Sequence, residues 1–175
     1  MEVIMSVRKK DELTEAVKKA AKDIEGGKFL SFLLNNEEYG VDVLNVREII
    51  GMIDVTSVPQ TPVYVKGVIN LRGKVIPVID LRLRFGLEEA EYDEETCIIV
   101  VDVAGLLMGI IIDTVLEVLD IPAAEIEAAP KFGTKVNTDY ILGMGKVGDK
   151  VNMLLDITKV LTSEELMMVE NIQNS

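Results

Sequence analysis

Asp80 and Asp156 are the residues of this sequence that come nearest to acid–base machinery, because two carboxylates brought together can share the roles of proton donor and acceptor, as in glycoside hydrolysis. Glu48 and Glu117 form a second matched pair, and Glu88–Glu95 places six acidic residues in eight. That run could hold a divalent cation, but it lacks the ligand spacing of a Ca²⁺ loop and reads as a solvated linker held open by repulsion. Gly143-Met144-Gly145-Lys146-Val147-Gly148 matches Gly-x-Gly-x-x-Gly. A dinucleotide site needs a helix to open there, whereas Lys150–Ile157 reads as another strand. The glycines therefore fit a hairpin whose strands cross closely. Arg72, in Asn70-Leu71-Arg72-Gly73, would project from a hairpin tip. It is a candidate recognition residue, since arginine is enriched at binding hot spots, or else an ordinary solvated side chain. The chain has no histidine and a single cysteine, Cys97. Zinc sites, Cys–His pairs, Ser–His–Asp triads and internal disulfides are excluded, and neither a cofactor nor a metal is expected.

The elements that would position these groups belong to a folded domain. The chain has 175 residues, 49% hydrophobic and 27% charged, and a net charge of −12. Residues 1–28 hold seven Lys or Arg against six Asp or Glu, and the other 147 hold eleven against twenty-four. A body this acidic repels phosphate backbones and anionic lipid, so nucleic-acid binding is disfavoured. No apolar run approaches the roughly 20 residues of a membrane span, and the N-terminus lacks the apolar stretch of a signal peptide. The expected compartment is the cytoplasm, without direct membrane insertion.

Residues 1–27 read as a charged helical extension, with Leu13, Val17, Ala20, Ala21 and Ile24 at helical spacing and Gly26-Gly27 as the stop. It is expected to be a surface appendage. Residues 28–175 read as the domain. Short β-prone runs follow: Phe29–Leu34, Tyr39–Leu44, Ile49–Ile53, Gly67–Leu71, Val75–Leu81, Thr96–Val103, Leu106–Ile112, Val115–Leu119, Ile141–Val147 and Lys150–Ile157. Turn residues punctuate them. Pro77 lacks an N–H and predicts an edge or a bulge. Thr162-Ser163-Glu164-Glu165 is a capping box opening a C-terminal helix over about 162–172, through Leu166, Val169 and Ile172.

An internal repeat organises the strands. At an offset of 69, Tyr39-Gly40-Val41 falls on Met108-Gly109-Ile110, Val46 on Val115 and Glu48 on Glu117. At an offset of 76, Tyr64 falls on Tyr140, Gly67 on Gly143 and Val78-Ile79-Asp80 on Leu154-Leu155-Asp156. The expected fold is mainly β, two tandem five-stranded barrels packed together, at about 28–87 and 95–160. Carboxylates kept in both copies serve the fold more readily than chemistry, for example by capping the next turn. Arg72 breaks the repeat, for Gly148 stands in its place.

Tyr39-Gly40-Val41-Asp42-Val43, Val46-Arg47-Glu48-Ile49, Lys66-Gly67-Val68-Ile69-Asn70-Leu71-Arg72-Gly73 and Ile76-Pro77-Val78-Ile79-Asp80-Leu81-Arg82 resemble the chemotaxis coupling protein family, CheW. Met108–Asp113 and Val115–Leu119 continue the likeness, which spans about Phe29 to Leu166. It implies SH3-like barrels and a non-enzymatic adaptor. The implied partners are the histidine kinase CheA, bound through its CheW-like regulatory domain, and the cytoplasmic tip of chemoreceptors. The adaptor would be recruited to membrane receptor arrays. Carried over by position, Glu48 and Arg72 match a charged pair tied to coupling, and Val46, Gly67, Gly109 and Val118 match positions linked to partner binding. Apolar rims from Val46, Ile49 and Val118 are expected to meet those partners. Residues 1–27 are longer and more charged than the resemblance leads one to expect, and the chain ends soon after its C-terminal helix, as in the stand-alone type. The alternatives are an SH3- or OB-like module of another pathway, such as pilus-based motility or nucleic-acid binding, and a carboxylate enzyme using Asp80 or Asp156.

Overall fold

Four tight turns convert the alternating apolar pattern into hairpins. The structure, a computed structural model, describes residues 2–21, 27–128 and 140–174. Asn35-Asn36 joins β1 (Lys28–Leu34) to β2 (Glu37–Asp42), and β3 (Val46–Gly51) follows a 3-10 turn at Val43–Asn45. Arg72-Gly73 joins β4 (Val65–Leu71) to β5 (Lys74–Asp80), and Ala104-Gly105 joins β6 (Cys97–Val103) to β7 (Leu106–Ile112). In these three turns both residues have positive φ, the twist that suits a two-residue hairpin. Then come β8 (Thr114–Asp120), β9 (Ile126–Glu127), β10 (Ile141–Val147) and β11 (Lys150–Leu155), the last two joined through Gly148-Asp149. Helices are α1 (Glu2–Ala21), the single turn α2 (Leu81–Arg84) and α3 (Ser163–Asn174).

The repeat is present, and the strand bounds keep its two offsets. The matched carboxylates do matched work. Asp80 ends β5 and accepts from the Leu83 N–H, capping α2, while Asp156 follows β11 and accepts from the Thr158 N–H, capping a 3-10 turn. The Asp80 N–H donates to Tyr64 and the Asp156 N–H to Tyr140, each at 2.8 Å. Asp80 is 1% exposed and also accepts from the Tyr92 hydroxyl at 2.8 Å.

The molecule is mainly β, as expected, with two sheets and a helix at either end. The sheets do not divide at the acidic stretch. One runs β8-β1-β2-β11-β10-β9 and the other β3-β6-β7-β5-β4. Each takes a hairpin from the other half of the chain through a short parallel contact, Gly40 facing Leu154 and Gly109 facing Val78. The ranges 28–87 and 95–160 thus mark the two repeats, while each sheet draws strands from both. The largest core cluster likewise takes residues from both sheets, among them Phe32, Val41, Ile79, Ile99 and Ile110. Alternate residues of the five-stranded sheet, Ile69, Ile76, Val78, Ile98 and Val100, build a second cluster, and Phe29, Ile121 and Leu154 a third, as a period of two requires.

Two expectations are refined. Pro77 lies in β5, an interior strand between β7 and β4 and not an edge, next to a bulge where β4 slips register opposite Val78 and Ile79. Its partner Val68 gives both backbone groups to Thr56, so Pro77 occupies a pair with no ladder bond toward β4. The parallel contact with β7 begins only at Val78, and the missing N–H costs no bond. The N-terminal helix is also more than an appendage: Val17 is 1% exposed within the main core, and Leu13, Ala20 and Ala21 pack beside it. The remainder of that extension, 22–26 with Ile24, lies outside the described residues. The capping box forms, the Thr162 N–H donating to the Glu165 carboxylate at 2.8 Å and the Glu165 N–H to Thr162 Oγ1 at 3.2 Å.

Candidate partner-binding site

β3 carries the first part of the site. Among the described residues it is an edge strand paired only with β6, and its register slips between Val46 and Glu48. Such a bulge re-aims neighbouring side chains. Arg47 and Glu48 accordingly reach different partners. Arg47 donates to the Asp102 carboxylate at 2.5 Å, next to the β6–β7 turn. Glu48 accepts from the Arg72 guanidinium at the tip of the β4–β5 hairpin. Hydrogen bonding and the Glu48 charge push the Arg72 pKa still higher, and the Arg47 guanidinium holds the Asp102 carboxyl below the usual carboxylate range.

Arg72 has a φ of +51, a conformation that costs an L-residue with a Cβ roughly 1–2 kcal/mol. Its repeat mate Gly148, at φ +61, takes the same region freely. Ala104 holds the same region in the β6–β7 turn, at φ +53, so the conformation comes with the two-residue hairpin, and what sets Arg72 apart is its charged side chain. Its side chain is 71% exposed and that of Glu48 21%. The two ion pairs border a groove of about 600 Å³, lined also by Leu71, Ile76, Val100 and Leu107, by Lys74 and by Lys18 of α1.

The structure brings Val46, Glu48 and Arg72 to one end of the five-stranded sheet. It does not bring Gly67, Gly109 and Val118 to the same surface. Gly67 is buried in β4, where an added Cβ would stand 2.0 Å from the Thr56 carbonyl oxygen at a φ of +143. Gly109 is buried in β7, where a Cβ would stand 2.7 Å from Ile98 Cγ2. Their repeat mates are also tight, though Gly143 less so than Gly67: Gly143 stands against the Glu127 carbonyl oxygen at 2.7 Å, and Gly40 against Asn152 Oδ1 at 2.8 Å. Val118 is half-buried on β8. The expected apolar rims are not exposed, because Val46 is 7% and Ile49 3% accessible, with α1 lying against β3.

The Gly-x-Gly-x-x-Gly stretch is the β10–β11 hairpin, with no helix opening at it. Cys97 is buried, and burial pushes its thiol up to about 12, which leaves it inert as a nucleophile. Among the described residues no cluster of carboxylates and thiols could hold a metal. Sequence reasoning did not find Arg47 with Asp102, nor Lys18 beside the groove. Their sequence separation gives no signal, since only the folded pairing of β3 with β6 and the seating of α1 unite them.

A family model, the CheW-like domain, matches residues 28–165. The chain is 43% identical over 159 residues to "Chemotaxis protein CheW" of Klebsiella aerogenes, covering 91% of this chain and 96% of that protein. It is 35% identical to the protein of the same name from Treponema pallidum, covering 82% and 86%. The crystal structure of the scaffolding protein TtCheW from Thermoanaerobacter tengcongensis is similar with a TM-score of 0.72 and 36% identity, over 77% of this chain and 92% of that one.

Proposed function

We propose, since this chain belongs to the CheW-like family, that it couples chemoreceptors to the histidine autokinase CheA. It is a chemotaxis scaffold and not an enzyme, for the family is one of non-catalytic adaptors. The observation that carries the finer reading is the Glu48–Arg72 pair, a charged hairpin tip held in a strained backbone beside an open groove. A scaffold acts by differential contact: it favours one kinase state only if it touches that state better than the other. The tip and groove offer such contacts to the kinase's CheW-like regulatory domain or to the receptor's cytoplasmic tip. Gly67 and Gly109 support the site from inside the sheets, so their substitution would act through the fold. Glu48 and Arg72 are the positions from which partners are met, while Val46, 7% exposed, and half-buried Val118 lie on the edge strands that α1 covers.

No helix among the described residues is long and apolar enough to cross a membrane. As a coupling protein it would act on the cytoplasmic side and reach receptor arrays through its partners. The test is receptor-dependent stimulation of kinase autophosphorylation with purified components, with co-purification of kinase and receptor from native lysate beside it. Loss of stimulation in a folded Arg72→Glu protein supports the reading, and wild-type stimulation removes Arg72 from the site.

A further inference from the structure

α1 lies against the outer strands of both sheets. β3 is an edge of the five-stranded sheet and β8 an edge of the six-stranded sheet, and α1 touches both, together with β1. An edge strand presents backbone groups with no ladder partner on one side. Here one of them, the Ile49 N–H, donates to Thr14 Oγ1 of α1 at 3.1 Å. The apolar stripe of α1, Leu13, Val17, Ala20 and Ala21, fills the space between. The stripe is narrow, and only Val17 among these four is fully buried. α1 precedes residues 28–165, which match the family's domain.

We infer that this seam is a helix-docking surface, that α1 is its resident occupant, and that an amphipathic helix of a partner takes its place. This rests on the coupling reading above, since Val46 and Glu48 of β3 and Val118 of β8 are the strands' site residues. The seam fits a helix because it holds one: two edges, a shallow apolar floor and the Ile49 amide, which Thr14 now receives and another side-chain acceptor could. Buried Val17 and Lys10, a few half-buried side chains and the Thr14 hydrogen bond hold the occupant, and such a contact can open locally without unfolding the sheets. A partner helix presenting two or three larger apolar side chains at helical spacing, with a hydroxyl or carboxylate to receive the Ile49 N–H, would outcompete it. While α1 is seated, the partner meets only the fraction of molecules in which it has lifted, and its apparent affinity falls by that fraction.

The test is hydrogen exchange on the full-length protein, alone and with a soluble helical-hairpin fragment of a chemoreceptor tip. Alone, the amides of α1 should exchange by local opening, well ahead of those of β1, β6 and β7. With the fragment, they should exchange faster still while those of β3 and β8 become protected. Val17→Asp, in full-length protein, should keep the sheets protected and bind the fragment about threefold tighter or more. Exchange of α1 only through global unfolding overturns the inference, as does continued protection of α1 in the complex, or a Val17→Asp protein whose sheets lose protection. Absence of binding by wild type and variant alike counts against the coupling reading and removes the competition with it. Local opening of α1 is then judged by the exchange of the protein alone.

Discussion

The β4–β5 and β10–β11 hairpins occupy matched places in the repeat and differ at their tips. The first presents Arg72-Gly73 with Glu48 accepting from the arginine, and the second presents Gly148-Asp149. Beneath the tips the hairpins agree. Both strands β4 and β10 slip register at the same step, between Val65 and Gly67 and between Ile141 and Gly143. Both glycines press on a neighbouring backbone, and both hairpins end on a capping aspartate. What the copies share is therefore what the fold requires, and what one copy has alone needs a reason of its own, either local stability or binding. Glu117, the mate of Glu48, sits exposed on β8 with a glycine where its arginine would be.

The largest effect should fall on a shared feature. Gly67→Ala puts a Cβ onto the Thr56 carbonyl in a backbone that disfavours it, and we expect a loss of about 4 kcal/mol or failure to fold. Gly143→Ala should also destabilise, by about 2 kcal/mol, as its clash is milder. Denaturant unfolding measures both, and a neutral Gly67→Ala would break the comparison.

The next effect belongs to the unshared tip. Arg72→Glu should unfold like wild type to within about 0.5 kcal/mol, yet lose kinase stimulation by about 2 kcal/mol of partner affinity, some thirtyfold. Glu48→Arg should behave alike. The exchange of both charges sharpens the meaning: recovered coupling shows that the pair orients itself, and continued failure shows that each charge meets its own partner residue.

A third feature present once is the clip between Arg82 and Asp113. Arg82 donates to both Asp113 oxygens, at 2.7 and 2.6 Å, and the Asn35 N–H adds a third bond. Thr158 and Leu44 stand at the matched positions. Asp113→Asn should cost about 1–3 kcal/mol, the range of a charge-assisted hydrogen bond. Burial works to raise the Asp113 pKa, but the Arg82 and Asn35 hydrogen bonds prevail and hold it below its ordinary 3.8. Its contribution is thus complete above the ordinary value and is lost as pH falls through the depressed one. Melting temperature followed from pH 5 to pH 2 should fall less steeply in the asparagine variant than in wild type.

The smallest expected effect is the most diagnostic. Arg72→Gly should relieve the turn and raise stability by about 0.5–1 kcal/mol while coupling is lost. Gly148→Arg should cost a similar amount and leave coupling untouched. Thermal melts beside the kinase assay check the opposed signs.

Much of this was readable beforehand because it is local. The turn pairs, the capping box at Thr162 and Glu165, and the two aspartate caps depend on residues a few positions apart. The repeat also foretold that Asp80 and Asp156 serve the fold. The partnership of the sheets was not readable. β2 finds the same apolar alternation in β5 and in β11, so the pattern cannot say that Tyr39 faces Met153. Val17 looked like one member of a thin stripe, and only the joining of two edge strands makes it core. For Arg72 the break in the repeat was visible and the resemblance already paired it with Glu48, but its positive φ needed coordinates. Gly67 and Gly109 entered as binding positions by resemblance, and their spacing against Thr56 and Ile98 gives them a mechanical reason.

The exchange of hairpins between the sheets sets the order in which the chain can be completed. During synthesis the first hairpin emerges early, but its parallel neighbour, beginning at Lys150, is among the last strands made. The first half must therefore wait, apolar and unfinished, until β11 has been made, and pairings of such long sequence separation fold slowly. The same geometry suits an origin by duplication. Two copies of a single ancestral unit, each lending its hairpin to the other, would make a symmetric pair, and fusing them end to end would give this connectivity without moving a strand.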